Sequence, residues 1–333
     1  MIAPMIRCIA RWAALTMGAA AIANPQSVAP LKLEQTIELA DVDGRIDHFA
    51  IDTRNRRLFV AALGNNTVEV IDLQSGKRLH TIRGLAEPQG LLALPDHNRL
   101  YVANGKDGTC RIFDATSFKL LKTVQLGNDA DNIRFDPATK RIWVGYEDGA
   151  LGALDSNGNK VGNIALPTHP ESFQLEKNSP RIFVNLPKSK KVAVVDRNKS
   201  SVIANWDTDA ASSNYPMALD EANKRLFIVC RMPARLLVLH TGSGALVANL
   251  PAVGDSDDVF YDPSARRLYA SGGEGAVVIY QQDDPDHYRE ISRIKTVKGA
   301  RTSFFSSDLG RFFLAVRRQD GKPAAIWVYA VEK

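Results

Sequence analysis

The sequence predicts an all-β chain folded as a seven-bladed β-propeller, with its ring closed by an N-terminal strand joining the C-terminal blade. Three observations predict it. A unit recurs along the chain, and the apolar residue that opens its second strand falls at Leu58, Leu100, Ile142, Ile182, Leu226, Leu268 and Phe312, at spacings of 42, 42, 40, 44, 42 and 44. Each unit carries four short runs rich in Val, Ile, Phe and Tyr, bounded by Gly, Asn, Asp and Ser, which is strand-and-turn chemistry. The last unit is one strand short, and an unassigned strand stands at the other end of the chain. Four strands in about 40–45 residues make a propeller blade.

The first unit shows the grammar. Phe49-Ala50-Ile51-Asp52 is an inner strand, Thr53 to Arg56 a turn, and Arg57-Leu58-Phe59-Val60-Ala61 a second strand. Gly64-Asn65-Asn66 turns the chain, and Thr67 to Asp72 alternates as a third strand. Ser75-Gly76 turns again, and Leu79-His80-Thr81-Ile82 is the fourth. In the seventh unit Arg301–Ser306, Arg311–Arg317 and Ala325–Val331 supply three strands before the chain ends. Gln35-Thr36-Ile37-Glu38-Leu39 precedes the first inner strand and is the missing fourth. Its pairing with the last blade would remove exposed sheet edges, which invite aggregation.

The start of the chain has the features of a targeting segment. Arg7 and Arg11 form a basic region, Ala13 to Ala23 is small and apolar, and Ala21-Ile22-Ala23 fits a small-x-small cleavage site. The apolar stretch is too short for a membrane span, which takes about 20 residues. The expected organisation is a signal peptide over 1–23, a linker over 24–30 with Pro25 and Pro30, and one propeller domain over 31–333. The expected location is the periplasm or the exterior. Of the formal charge of +5, two units come from Arg7 and Arg11, which leaves +3. That is too mild to argue for nucleic acid or membrane. Cys110 and Cys230 fall in blades 2 and 5, nearly opposite across the ring, and are expected to be unbonded, since a disulfide needs Cα atoms within about 7 Å.

Leu58-Phe59-Val60-Ala61-Ala62 through Val68-Glu69-Val70-Ile71-Asp72, Leu100-Tyr101-Val102-Ala103-Asn104, and the Asp-Pro pairs at 136–137 and 262–263 carry a resemblance. The chain resembles the bacterial YVTN-repeat (YncE-like) β-propeller family over about Leu31 to Lys333. The resemblance implies the fold and says little of activity. Its members include periplasmic proteins of unassigned role, surface-layer proteins and a single-strand DNA binder, and more distantly lactonases and lyases.

In a propeller the start of each inner strand faces the central funnel. Eleven residues before each repeat marker stand Asp47, Gln89, Asp131, Glu171, Tyr215, Asp257 and Arg301, and the next positions are His48, Gly90, Asn132, Ser172, Pro216, Asp258 and Thr302. Four of the first seven are acidic, whereas filling a taper needs small or apolar groups. Asp47, His48, Gln89, Asp131, Asn132, Glu171, Tyr215, Asp257, Asp258 and Arg301 are therefore the candidate ligand-binding ring. Asp131, Glu171 and Asp257 are candidate ligands for Ca2+ or Mg2+, which prefer oxygen. Arg301 suits a carboxylate or phosphate, and His48 is the candidate catalytic base. A solvated, charge-balanced mouth explains the same residues without a ligand. His169-Pro170, on the loop entering blade 4, is a further pocket candidate.

The Asp residues closing third strands (Asp72, Asp114, Asp155, Asp196) are turn acceptors. His80, His97, His240 and His287 fall on outer strands or far-side turns. The expected function is binding of a small polar molecule or a periplasmic protein at the funnel, by a monomer without a membrane span. One alternative is a metal-assisted hydrolase, lactonase or lyase. Another is a single-strand nucleic-acid binder, for which Tyr146, Tyr215 and Arg231 could contribute, against the acidity of the ring.

Overall fold

The computed structural model describes residue 1, residues 29–147 and residues 149–332. The signal segment and all but the last two residues of the linker lie outside the described residues. The described chain forms seven antiparallel four-stranded sheets. Blades 1 to 6 each use four consecutive strands. Blade 1, for instance, runs Phe49–Asp52, Arg57–Ala62, Thr67–Asp72 and Lys77–Ile82 from the axis outward.

Blade 7 takes Ser303–Ser306, Arg311–Val316 and Ala324–Val331 from the C-terminus and its outer strand, Leu31–Leu39, from the N-terminus. The closing strand begins four residues earlier than the sequence pattern shows. It pairs from Leu31↔Val331 to Leu39↔Ala324, with a register shift between Leu33 and Gln35. Leu31, Ile37 and Leu39 turn inward and are buried.

The core is seven seams rather than one centre. Each buried apolar cluster lies between two neighbouring blades. Ala50, Phe59, Ala61 and Val68 of blade 1 meet Leu91, Leu100 and Val102 of blade 2, and Ile37, Leu39 and Phe313 of blade 7 meet Phe49 and Leu58 of blade 1. A strand buried on both faces needs an uninterrupted apolar run, and the second strands supply one. Burial of each Phe or Leu contributes about 1.5–3 kcal/mol.

Polar links reinforce the seams. Every second strand opens with an arginine: Arg57, Arg99, Arg141, Arg181, Arg225, Arg267 and Arg311. Four of these reach a backbone carbonyl of the next blade. Arg57 donates to Ala115 at 2.6 Å, Arg181 to Thr241 at 2.5 Å, Arg225 to Pro285 at 2.8 Å, and Arg267 to Glu332.

The turn aspartates behave as expected. Asp72 accepts the Gln74 amide at 2.9 Å, Asp114 the Ser117 amide at 2.7 Å, Asp155 the Asn159 amide at 2.8 Å and Asp196 the Asn198 amide at 2.9 Å. Cys110 and Cys230 are buried free thiols. Among the described residues no helix is long and apolar enough to cross a membrane.

Candidate functional site

The channel along the ring axis holds a polar cavity of about 410 Å3. All ten candidate ring residues line it, from Asp47 of blade 1 round to Arg301 of blade 7. His169 lines it as well. Arg45 also contributes, and the sequence pattern missed it because it lies two residues before the ring position, in an irregular loop.

Backbone pairing fixes the ring. The amides of Asp47, Asp131 and Glu171 donate to carbonyls of Ala61, Gly145 and Asn185 on the adjacent second strands, at 2.7, 2.9 and 3.0 Å. The return bonds run from those same three residues to the carbonyls of His48, Asn132 and Ser172, each at 3.0 Å. In blades 1, 3 and 4 the ring positions thus extend the sheet by one bonded pair toward the axis. Gly90 makes room for this in blade 2. A Cβ there would lie 2.0 Å from the Asp131 carbonyl oxygen, so any larger residue would displace the loop that presents Asp131.

The cavity has two electrostatic halves. On the side of blades 5, 6, 7 and 1, guanidinium groups and carboxylates neutralise one another. Arg45 bonds Asp47 at 2.7 Å, and Arg301 bonds Asp255 at 2.9 Å. Asp257 is clamped between Arg231 and Arg301. The Arg231 guanidinium lies 3.8 Å from the centroid of the Tyr215 ring, a cation–π contact.

On the side of blades 3 and 4 the acids have no such partners. Glu171 stands on the cavity wall with Asp131, and Asp131 faces the imidazole of His48 at 3.7 Å. Asp131 Oδ1 and Asn132 Oδ1 are buried acceptors without a hydrogen-bond donor. Burial pushes the Asp131 carboxyl up to about 6, against the pull of His48, with Asp47 adding repulsion. Glu171 is raised well above the usual carboxylate range, first by burial and then by Asp131, Asp257 and Asp47.

His48 forms the waist of the channel. Its Nε2 faces Asp131 at 3.7 Å and its Nδ1 faces Asp258 at 3.8 Å. Burial works against its charged form, but Asp47, Asp258 and Asp131 outweigh burial and raise its pKa. The raised pKa favours the protonated imidazole relative to a free one, which suits proton donation more than the base role expected from the sequence. Asp258 is pushed up to about 7 by burial, although His48 and the Ser303 amide, which donates to it at 2.7 Å, favour its ionised form.

The expected metal ligands are divided between the two halves. Asp257 is engaged by two arginines, whereas among the described residues no arginine bonds Asp131 or Glu171. Among the described residues no group of three or more His, Cys, Asp or Glu side chains is arranged to hold a metal ion. Of the residues considered for base stacking, Tyr215 and Arg231 line the cavity. Tyr146 does not: it is 3 % exposed and its hydroxyl bonds Asn163 at 2.8 Å. The sequence could not show this, because Tyr146 closes a second strand where the inward and outward faces both pack.

No family model matches the chain. Among curated proteins it is similar to YncE of Salmonella typhimurium, 20 % identical over 261 residues that make up 73 % of each chain, a protein named as uncharacterized. It is also similar to YncE of Escherichia coli O157:H7, 26 % identical over 173 residues, 46 % of this chain and 49 % of that one. Among solved structures it resembles a chain in Kuenenia stuttgartiensis hydrazine synthase, with a TM-score of 0.73 at 16 % identity, covering 89 % of this chain and 99 % of the other. It resembles a chain in a mitotic checkpoint complex with a TM-score of 0.76 at 14 % identity, covering 97 % and 99 %. At such identities the structural likeness is one of fold. The chain is thus a seven-bladed β-propeller similar in sequence to YncE.

Proposed function

We propose that this YncE-like propeller binds a small polar molecule in its axial cavity, and that the molecule presents an ammonium or similarly donor-rich group to Asp131 and Glu171. One observation carries the reading. Asp131 and Glu171 share a desolvated wall on which, among the described residues, no arginine bonds either carboxylate, while the arginines of the same cavity bond the carboxylates of the opposite side. Unpaired buried charge is costly, and an incoming cation would offset that cost. A volume of about 410 Å3 suits a metabolite-sized ligand rather than a macromolecular segment. The basic and apolar pattern of residues 7–23 supports a periplasmic or extracellular setting for this binding.

The test is a melting series with ethanolamine, choline and putrescine, and separately with CaCl2 and MgCl2. A ligand that binds only the folded state raises stability by about 2.7 kcal/mol at one hundred times its Kd. At least one amine should raise Tm, and the rise should shrink in Asp131→Asn and Glu171→Gln. Affinity should increase between pH 5 and pH 7.5, because the cation binds the ionised carboxylates and must displace their protons. If only the divalent ions raise Tm, and Asp131→Asn abolishes that rise, the occupant is a metal ion and the amine reading fails. If no amine and no metal ion shifts Tm, the mouth is simply solvated.

A further inference from the structure

Below the waist the channel changes character. A second cavity, of about 380 Å3, continues along the inner strands beyond His48 and Asp258. Side chains two apart on a strand share a face, and six of the seven residues two positions past the waist layer line this chamber: Ala50, Leu92, Arg134, Gln174, Phe260 and Phe304. A smaller cavity of about 200 Å3 adjoins it at Arg134, Gln174, Asp258 and Phe260. Where the upper layer is acids and arginines, this one is apolar on blades 6, 7, 1 and 2 and carries a single charge, on blade 3.

That charge is incompletely satisfied. Arg134 Nη1 donates to the Ile133 carbonyl at 2.9 Å, and the guanidinium stacks 5.7 Å from the Phe173 ring centroid. It makes no ion pair among the described residues, although a guanidinium offers five N–H donors. Burial lowers its pKa, with only partial relief from Asp258 and Asp131. Opposite it, Phe260 and Phe304 meet edge to face with centroids 5.9 Å apart.

We propose that this chamber is a second binding site, for an amphipathic monoanion whose carboxylate or sulfonate pairs with Arg134 and whose aromatic or alkyl body lies against Phe260, Phe304 and Leu92. Two oxygens of either head group can accept two parallel hydrogen bonds from the guanidinium, and the volume suits a body of one or two rings. The ligand class is opposite in charge to that of the upper cavity, so the two sites are chemically distinct although they share the His48–Asp258 waist.

The probes are 8-anilinonaphthalene-1-sulfonate, which is anionic, and N-phenyl-1-naphthylamine, its neutral analogue, each titrated by fluorescence onto the folded full chain at pH 7. The anionic probe should bind saturably. Arg134→Gln should weaken it at least tenfold, and Arg134→Lys should restore most of that loss. The neutral probe should bind wild type and Arg134→Gln alike. Leu92→Trp, at a half-buried position on the chamber wall, narrows the chamber while leaving Arg134 in place and should weaken both probes at least tenfold, so the proposal remains testable if Arg134→Gln does not fold. Absence of saturable binding of the anionic probe, equal affinity in wild type and Arg134→Gln, or unchanged binding in a folded Leu92→Trp variant would each overturn it.

Discussion

The seams between blades and the channel along the axis are built from the same strands, yet they follow opposite rules. Seam positions repeat in kind. Leu58, Leu100, Ile142, Ile182, Leu226, Leu268 and Phe312 are all buried at 0 % exposure in equivalent places. Channel positions do not keep one type. At one level they run Asp47, Gln89, Asp131, Glu171, Tyr215, Asp257 and Arg301, and no chemical type holds round the ring. What repeats specifies how blades stack. What departs from the repeat is free to specify a ligand, because the sheets already hold the ring backbone in place.

Four measurements would break or sharpen this contrast. Truncation before residue 41 should have the largest effect, since it removes Leu31, Ile37 and Leu39 from two seams and leaves Ala324–Val331 an open edge. The expected outcome is aggregation, read by light scattering; a soluble truncated chain with an unchanged Tm would show that closure is dispensable. Next, Phe59→Ala should cost about 3–5 kcal/mol in chemical unfolding, because Phe59 is 0 % exposed in the seam of blades 1 and 2.

The channel should respond in the opposite sense. Asp131 and Asp258 have folded pKa values of about 6 and about 7, above the ordinary 3.8. Between about pH 4 and pH 7 the folded state therefore holds protons that the unfolded state has lost, and stability falls as pH rises. His48 acts in the same direction: its pKa is raised, so its contribution is present below about 6.5 and is lost as pH rises through the folded value. Asp258→Asn, which keeps an acceptor for the Ser303 amide, should flatten the decline and stabilise the chain at pH 8 by on the order of 1–3 kcal/mol. A steeper decline in that variant would mean that Asp258 is ionised by a partner rather than desolvated.

The smallest effect is on the thiols. Cys110 and Cys230 are buried, and burial pushes both up to about 12. A chain starting after residue 23 should show no reactive thiol when native and two when denatured without reductant. Fewer than two in denaturant would contradict the free state of the pair.

The contrast also explains what could be read from sequence. Blade number, strand order and ring closure were legible because each seam repeats its apolar marker every 40 to 44 residues. The ring residues were legible for the same reason, being a fixed offset from those markers. What could not be read was pairing. Nothing in the sequence distinguishes Asp257, clamped by Arg231 and Arg301, from Glu171, which no arginine bonds among the described residues. Arg231 sits in a second strand and Arg45 in a loop, so neither keeps the offset that identifies the ring. Glu69 shows the same limit. It alternates like a surface residue of the third strand but is fully buried, held by Thr67, Thr81 and Arg78.

The closing strand has a consequence for the order of the chain itself. Leu31 lies directly opposite Val331, so the first and last strands of the ring end side by side. A short glycine-rich loop could join them as an ordinary hairpin, and new termini could then be opened between Asp41 and Arg45, where the backbone passes from blade 7 to blade 1. Such a circular permutant would build blade 7 from four consecutive strands. Closing a longer loop costs only about 0.6 kcal/mol per doubling of its length, so its equilibrium stability should hardly change. Its rate of folding should change more, because the contact most distant along the chain would have become one of the nearest.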